Sequence, residues 1–228
     1  MRAAHDSPMP PLFYGTSAGG QAFDGDAQGG NPFATALIEL ASEPRTRLGN
    51  LGASLRRRVA LATQRRQLPE APPAPQPADW RFLQPLAGAA ESRLALVLVV
   101  SRYADAAVPP LYGAAHDERR VASMLASHGF SVTQGVDSTR AGILQALATL
   151  SRRSARHEAV LLYATAHGVE AGSSTYLLPS DYPFERGYAP GTLRRHAIPV
   201  QRLARSLQGA RANLAFFAGC RTRVAPVR

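Results

Sequence analysis

Short apolar runs alternate along the chain with longer stretches of helical periodicity. Leu94–Val100 reads LALVLVV, which is too continuous for a half-exposed strand and is typical of a central parallel strand buried on both faces. Further strand-like runs are PPLFYG at residues 10–15, Phe130–Gln134, Ala159–Ala164 and Asn213–Phe217. Strands that alternate with helices predict an α/β fold, in which helices cover both faces of a mostly parallel sheet.

The predicted helices lie between these runs. In NPFATALIELAS, Asn31 can cap the free amides at the helix start, and Pro32 suits the first helical position. Apolar residues at helical spacing predict four further helices, at Leu51–Thr63, His116–His128, Thr139–Arg153 and Val200–Leu207. Ser174–Leu178 is expected to open a hairpin, and Asp79–Leu83 (DWRFL) to form an edge strand.

Proline and glycine divide the chain into two structured stretches. Residues 1–9 are predicted to be disordered, and residues 10–69 form the first stretch. The segment EAPPAPQ begins an extended linker over residues 70–91, which contains the predicted edge strand. Residues 92–228 form the second stretch, in which strands and helices alternate regularly.

Composition and charge narrow the class of protein. The 228 residues are 45% hydrophobic, enough for a substantial core, and the longest apolar runs are far below the roughly 18 residues of a membrane span. We therefore expect a cytoplasmic protein with no membrane partner. The net charge is +10, and all 26 basic residues are arginine. These arginines are scattered and lack interleaved aromatic residues, so we expect no nucleic-acid partner.

Two candidate reactive side chains follow predicted strands. His167 comes just after AVLLYATA, and Cys220, the single cysteine, comes just after NLAFFAG, 53 residues later. Ligands of open α/β sheets bind beyond the carboxyl ends of strands, so a thiol and an imidazole on neighbouring strands can converge on one carbonyl group. The backbone amides of Gly168 and Cys220 are candidate oxyanion donors. An inert buried cysteine and a structural histidine are the alternative.

Five motifs in the second stretch resemble the large-subunit half of the caspase and metacaspase superfamily. They are RLALVLVVSRY, AAHDERRVASMLASHGFSV, LLYATAHGV, TYLLPSD and NLAFFAGCR, and they span about residues 93–223. A histidine about 50 residues before a cysteine motif is a known signature of this superfamily. The resemblance implies a three-layer caspase-like fold with a six-stranded sheet. It also implies a cysteine endopeptidase, with Cys220 as nucleophile and His167 as the proton carrier.

The first stretch resembles the small-subunit half of the same superfamily. Only eight residues follow Cys220, although the family needs further strands and helices after its cysteine. The segment LFYGTSAGGQAFDGDAQGGNPFATALIEL is similar to the start of the small half, and RRRVALATQRRQLP to its last helix. The chain is therefore expected to be circularly permuted. The linker is long enough to permit a homodimer, including a domain-swapped one.

The resemblance also indicates where the sequence departs from the family. Ala218 stands where relatives carry a pocket aspartate or glutamine, and Asp24 falls where caspases carry the arginine that reads aspartate. With Thr16 and Phe23, these residues are expected to line the substrate groove, and the carboxylate of Asp24 is expected to give a weak preference for a basic residue before the scissile bond (P1). A structural role for Asp24, capping its own DGD turn, is the alternative. Ala166 replaces the usual glycine and could crowd the cleft.

Two other interpretations remain open at this stage. An inactive caspase-like scaffold or binding module would explain the altered pocket and Ala166. A fragment of two tandem domains would explain the order of the halves, which would then not meet. We expect a protein or peptide substrate and neither a metal nor another cofactor. The spacing of Asp24, Asp26 and Asp181 does not predict a metal site, and the sequence does not decide calcium dependence.

Overall fold

A computed structural model describes residues 9–83 and 91–224. The strands in these ranges are β1 (Leu12–Tyr14), β2 (Arg93–Val99), β3 (Phe130–Val136), β4 (Ala159–Thr165), β5 (Gly168–Ala171), β6 (Ser174–Leu177), β7 (Ile198–Pro199), β8 (Ala212–Phe217) and β9 (Thr222–Arg223). The helices are α1 (Pro32–Ala41), α2 (Leu48–Ala62), α3 (Tyr112–Ser127), α4 (Arg140–Ser154), α5 (Pro190–His196) and α6 (Val200–Arg205), with a 3₁₀ turn at Phe184–Arg186. The predicted α/β fold is confirmed.

The main sheet is parallel and has the strand order β1-β8-β4-β2-β3. Every residue of β2 and β4 is buried, which explains their uninterrupted apolar sequences. The sheet has five strands in the described ranges, where six were predicted. A second sheet, ordered β7-β6-β5-β9, lies beside it and includes the predicted hairpin as β5 and β6.

Helices cover both faces of the main sheet, giving the predicted three layers. Alternate residues of β2 and β4 enter two different cores. One core joins the sheet to α1, α2 and α3, and the other joins it to α4 and α6. No helix within the described ranges is both long and apolar enough to cross a membrane.

Residues from both stretches form the main sheet within one chain. Leu12 in β1 pairs with Ala215 in β8, and the rings of Phe13 and Phe216 stack with their centroids 5.0 Å apart. Asp117 in α3 accepts a hydrogen bond from the Asn31 backbone amide at the start of α1. The hypothesis that the two stretches never meet is therefore wrong.

The predicted edge strand at Asp79–Leu83 is absent, and this segment is irregular. Its backbone instead serves the start of α2, where the amides of Leu48 and Gly49 donate to the carbonyls of Trp80 and Ala78. Trp80 and Phe82 are buried in the core. The segment thus uses its apolar residues as anchors and its carbonyls as a helix cap. The predicted disorder at residues 1–9 falls almost entirely outside the described residues.

Candidate functional site

His167 and Cys220 lie beyond the carboxyl ends of two adjacent strands. β4 and β8 run parallel as neighbours, with Ala164 paired to Phe217 near their ends. His167 follows β4, and Cys220 follows β8 after two further residues. The sequence prediction that the two residues end on one edge of the sheet therefore agrees with the topology.

The backbones that carry the two residues are in direct contact. A Cβ atom added to Gly168 would overlap the carbonyl oxygen of Cys220, and one added to Gly219 would overlap that of Ala166. Glycine is required at both positions because the two segments approach so closely. His167 and Cys220 both line one cavity of about 390 Å³, which we call the dyad cavity.

Aromatic rings surround His167. The Tyr103 hydroxyl accepts a hydrogen bond of 2.7 Å from the His167 backbone amide, and the centroids of the two rings are 5.0 Å apart. The Phe184 ring meets that of His167 edge-on at 6.4 Å. Tyr182 packs against Phe184, and Tyr188 stacks on Tyr182. We call these four residues, Tyr103, Tyr182, Phe184 and Tyr188, the aromatic wall.

The His167 ring is suited to act as a base. Burial lowers the pKa of its imidazole, and a hydrogen bond to the Pro109 backbone and the charge of Asp24 partly oppose this effect. Its Nε2 atom is buried and has no hydrogen-bond partner among the described residues. One ring nitrogen is thus without a hydrogen bond in the part of the chain that the structure describes and can accept a proton.

The Cys220 thiol faces a segment of the first stretch. The backbone amide of Ala22 lies 3.3 Å from Sγ as a donor, and the carbonyl oxygen of Ala22 lies 3.5 Å from it as an acceptor. Burial raises the pKa of the thiol, the Ala22 hydrogen bond lowers it, and Asp24 raises it. The resting sulfur is therefore a neutral thiol in contact with the backbone of Ala22.

We call Gly20–Asp24 the covering segment, and hydrogen bonds hold it in place. The Gly20 carbonyl accepts from the Arg221 amide at 2.9 Å, and the Phe23 amide donates to Gln67. Both carboxylate oxygens of Asp24 accept backbone hydrogen bonds of 2.9 Å, from Gly113 and Ala114 in the first turn of α3. Asp24 therefore caps a distant helix, and the expectation that it caps its own turn is corrected.

The other predicted groove residues do not line the dyad cavity. Thr16 and Ala218 are each 1% exposed, so neither presents a surface to a substrate. Phe23 is half-buried, packs against the Arg66 guanidinium and faces a different cavity. The structure therefore does not bring these three residues together with His167 in the dyad cavity. Ala166 is also buried in the core, so its methyl group does not crowd the cleft.

Arg221 connects the cysteine loop to both stretches of the chain. It is 9% exposed, and its guanidinium pairs with Glu70 and lies 3.0 Å from Oε2 of Glu170. Its Cζ atom stands 4.2 Å from the centroid of the Tyr14 ring. Glu170 is itself buried, so this ion pair holds the loop through contacts that are shielded from water.

Sequence reasoning did not identify the site roles of Tyr103, Phe184, Tyr188 or Arg221. The available signal was weak. The segment YPFERGY places three aromatic residues within seven positions shortly after the hairpin, and Arg221 directly follows the cysteine. In residues 9–83 and 91–224, no group of three or more histidine, cysteine, aspartate or glutamate side chains is arranged to hold a metal ion.

Comparison with known proteins identifies one family. The model of a caspase domain matches residues 92–226, which is more than half of the chain. A search of curated proteins finds no match. The matched range contains both His167 and Cys220 and begins just before β2.

Proposed function

The chain belongs to the caspase domain family, and from this premise we propose that it is a cysteine endopeptidase in which Cys220 and His167 form the catalytic dyad. The observation that carries the proposal is the cavity that both residues line, where Nε2 of His167 is buried without a partner among the described residues. Such a nitrogen can take the proton of a nearby thiol.

The proposed reaction proceeds through a thioester. His167 takes the Cys220 proton, and the sulfur forms a bond to the peptide carbonyl carbon, whose π electrons move to oxygen. The amides of Gly168 and Cys220 stabilise this oxyanion. The C–N bond then breaks as His167 returns the proton to the leaving amine. Water, deprotonated by His167, attacks the thioester and releases the carboxylic acid product and the thiol.

We also propose that residues 10–69 serve as the small-subunit half and residues 92–228 as the large-subunit half, in permuted order. The parallel pairing of β1 with β8 supports this assignment, because it extends the sheet next to the strand that precedes Cys220. The contact between Ala22 and the Cys220 thiol supports it as well. In this arrangement the first stretch completes the cleft of the second.

A weak preference for a basic P1 residue belongs to the same proposal. Asp24 raises the pKa of both His167 and Cys220, so its negative charge interacts electrostatically with both members of the dyad. That charge would attract an arginine or lysine side chain. The preference is expected to be weak because both carboxylate oxygens already accept hydrogen bonds from α3.

The second candidate function is a binding module without peptidase activity. The observation in its favour is the covered sulfur, whose neighbours in the resting structure are the amide and carbonyl of Ala22. In a peptidase, the substrate backbone would have to displace the Ala22 contact. In a scaffold, the contact would simply persist.

Hydrolysis of fluorogenic peptides separates the two functions. Wild-type protein should cleave peptides with arginine at P1 faster than peptides with aspartate, and Cys220→Ala should cleave neither. We expect His167→Asn to lower kcat/KM by about 10²–10⁴-fold, the usual contribution of a general acid–base residue. The matched control is His157→Asn, since His157 precedes β4 at its opposite end. Its kcat/KM should equal that of the wild type.

Labelling of the cysteine supplies a second readout. The chain has a single cysteine, so covalent labelling by a peptidyl electrophile reports Cys220 alone. A peptidase should be labelled stoichiometrically and much faster than a free thiol. Cleavage that persists in Cys220→Ala, or labelling no faster than that of a free thiol, would contradict the proposed mechanism.

A further inference from the structure

The dyad cavity has a largely apolar lining. Besides His167 and Cys220, every lining residue within the described ranges is uncharged, and most of them are aliphatic or aromatic. Phe184 and Tyr188 form its aromatic surface, and Val108 and Val224 contribute aliphatic surface. A cavity of about 390 Å³ is at the small end of the range for ligand pockets. Its chemistry suits an apolar side chain.

Packing around Tyr182 holds the aromatic surface of the dyad cavity in place. The Tyr182 ring lies 5.1 Å from that of Phe184 and 6.0 Å from that of Tyr188, and the Tyr182 hydroxyl donates to the Gly187 carbonyl at 2.7 Å. Tyr182 itself is buried, in a cluster with Val169 and Leu178. The rings are thus positioned before any ligand arrives, which reduces the entropy lost on binding.

The position of His167 decides which part of a peptide meets this cavity. The covering segment contacts the sulfur through Ala22, but none of its residues lines the dyad cavity. In the proposed reaction, His167 gives its proton to the leaving amine. The residue that carries this amine must therefore lie on the histidine side, where the aromatic wall stands.

We propose that the dyad cavity is the subsite for the residue on the carboxyl side of the scissile bond (P1′), and that it selects a large apolar or aromatic side chain. This inference rests on the proposed peptidase function. Phe184 and Tyr188 are the residues that determine the selection. An acidic P1′ side chain would lose water against an uncharged wall and gain no partner there.

Binding to an inactive variant tests the subsite without requiring catalysis. Full-length Cys220→Ala is titrated into fluorescein-labelled peptides that differ only at P1′, which is phenylalanine, leucine, alanine or aspartate. Fluorescence anisotropy gives the Kd of each peptide. We expect the phenylalanine peptide to bind at least about ten-fold more tightly than the alanine peptide, with aspartate weakest. Equal affinities for phenylalanine and alanine would overturn the proposal.

Two variants of aromatic residues test whether Tyr188 is responsible for the selection of the P1′ side chain. Cys220→Ala/Tyr188→Ala should reduce the phenylalanine-to-alanine affinity ratio several-fold, whereas Cys220→Ala/Tyr112→Ala should keep it, since Tyr112 is 76% exposed and does not line the cavity. An unchanged ratio in the folded Tyr188 variant would overturn the assignment. If that variant fails to fold, the peptide series on Cys220→Ala alone still decides the proposal.

Hydrolysis of the same peptides by the wild type separates the two proposals. Selective binding of phenylalanine without hydrolysis would support the apolar pocket and overturn the peptidase function. Hydrolysis at equal rates for phenylalanine and alanine would support the peptidase function and overturn the P1′ assignment. Hydrolysis that is at least about ten-fold faster, in kcat/KM, for phenylalanine than for alanine would support both.

Discussion

The covering segment beside Cys220 and the aromatic wall beside His167 contact the dyad through different kinds of interaction. The covering segment reaches the Cys220 sulfur through backbone hydrogen bonds, and its Gly20 carbonyl accepts from the backbone amide of Arg221, whose side chain pairs with the buried Glu170. The aromatic wall reaches the His167 ring through packing, with ring centroids 5.0 and 6.4 Å away. One side therefore acts on the nucleophile through polar groups, and the other acts on the base by excluding water.

Burial acts on both members of the dyad and sets its resting protonation state. Burial raises the pKa of the Cys220 thiol and lowers that of the His167 imidazole, so both groups are uncharged near neutral pH. A neutral imidazole can accept the thiol proton when a substrate arrives. These pKa shifts favour proton transfer from the thiol to the imidazole during the reaction over a thiolate–imidazolium pair that forms before the substrate binds.

The largest effect on stability is expected from removing the ion pairs of Arg221, the residue whose backbone amide binds Gly20 of the covering segment. Arg221→Leu removes the closer and buried partner of Glu170, which is 7% exposed, and leaves this carboxylate with only the exposed Arg223, 3.6 Å away. Loss of one partner of a buried pair costs about 3–5 kcal/mol, and we expect the free energy of unfolding in urea to fall by about that amount.

Arg223→Leu is the matched control for this change. Its guanidinium lies 3.6 Å from Oε1 of the same glutamate, but its side chain is 74% exposed. Exposed pairs contribute about 0–1 kcal/mol, so the unfolding free energy should hardly change. If the free energy of unfolding fell equally in the two variants, burial would not be what distinguishes the Arg221 ion pair from the Arg223 ion pair.

A smaller effect is expected from the charge of the covering segment. Asp24→Asn keeps an oxygen that can accept from α3 but removes the charge that raises the pKa of both dyad residues. Both pKa values should fall, so a larger fraction of Cys220 is thiolate at neutral pH and electrophile labelling should accelerate. We expect the preference for arginine over alanine at P1 to fall about two- to three-fold, measured as a ratio of kcat/KM.

Asp26→Asn controls for loss of a negative charge in the same turn. The Asp26 carboxylate accepts hydrogen bonds from the amides of Gln28 and Gly30 and from the Thr35 hydroxyl. Of the two aspartates, Asp24 is the one whose charge shifts the pKa values of the dyad residues. The arginine preference should therefore survive in this variant. A loss as large as that in Asp24→Asn would mean that net charge matters and the position of Asp24 does not.

The sequence predicted the elements that local patterns determine. Leu94–Val100 was interpretable because a strand buried on both faces needs an unbroken apolar run, and β2 occupies nearly that range. The positions of His167 and Cys220 after two strands were predicted as well, whereas the adjacency of these strands was a condition of the prediction that the topology meets. The seven-residue helix α5 was not predicted, since so short a segment gives little periodicity.

Contacts between distant residues could not be predicted in the same way. Ala22 and Cys220 are 198 positions apart, and Asp24 caps a helix whose first amides are about 90 positions away. No local pattern specifies such partners, because they depend on how the two stretches pack. The wrong edge strand at Asp79–Leu83 has the same origin, since its carbonyls satisfy the distant start of α2.

The last prediction concerns the pH dependence set by the aromatic wall. Desolvation lowers the pKa of His167, and protonated His167 cannot act as a base, so kcat/KM should fall only below the ordinary histidine pKa of about 6.5. Phe184→Ala admits water to the ring and should move this acidic limb upward, toward about 6.5, whereas Tyr112→Ala, at an exposed aromatic residue, should leave it in place. Profiles of kcat/KM against pH measure both shifts. A wild-type limb above 6.5 would mean that the wall does not desolvate the base, because an imidazole removed from water binds its proton less tightly.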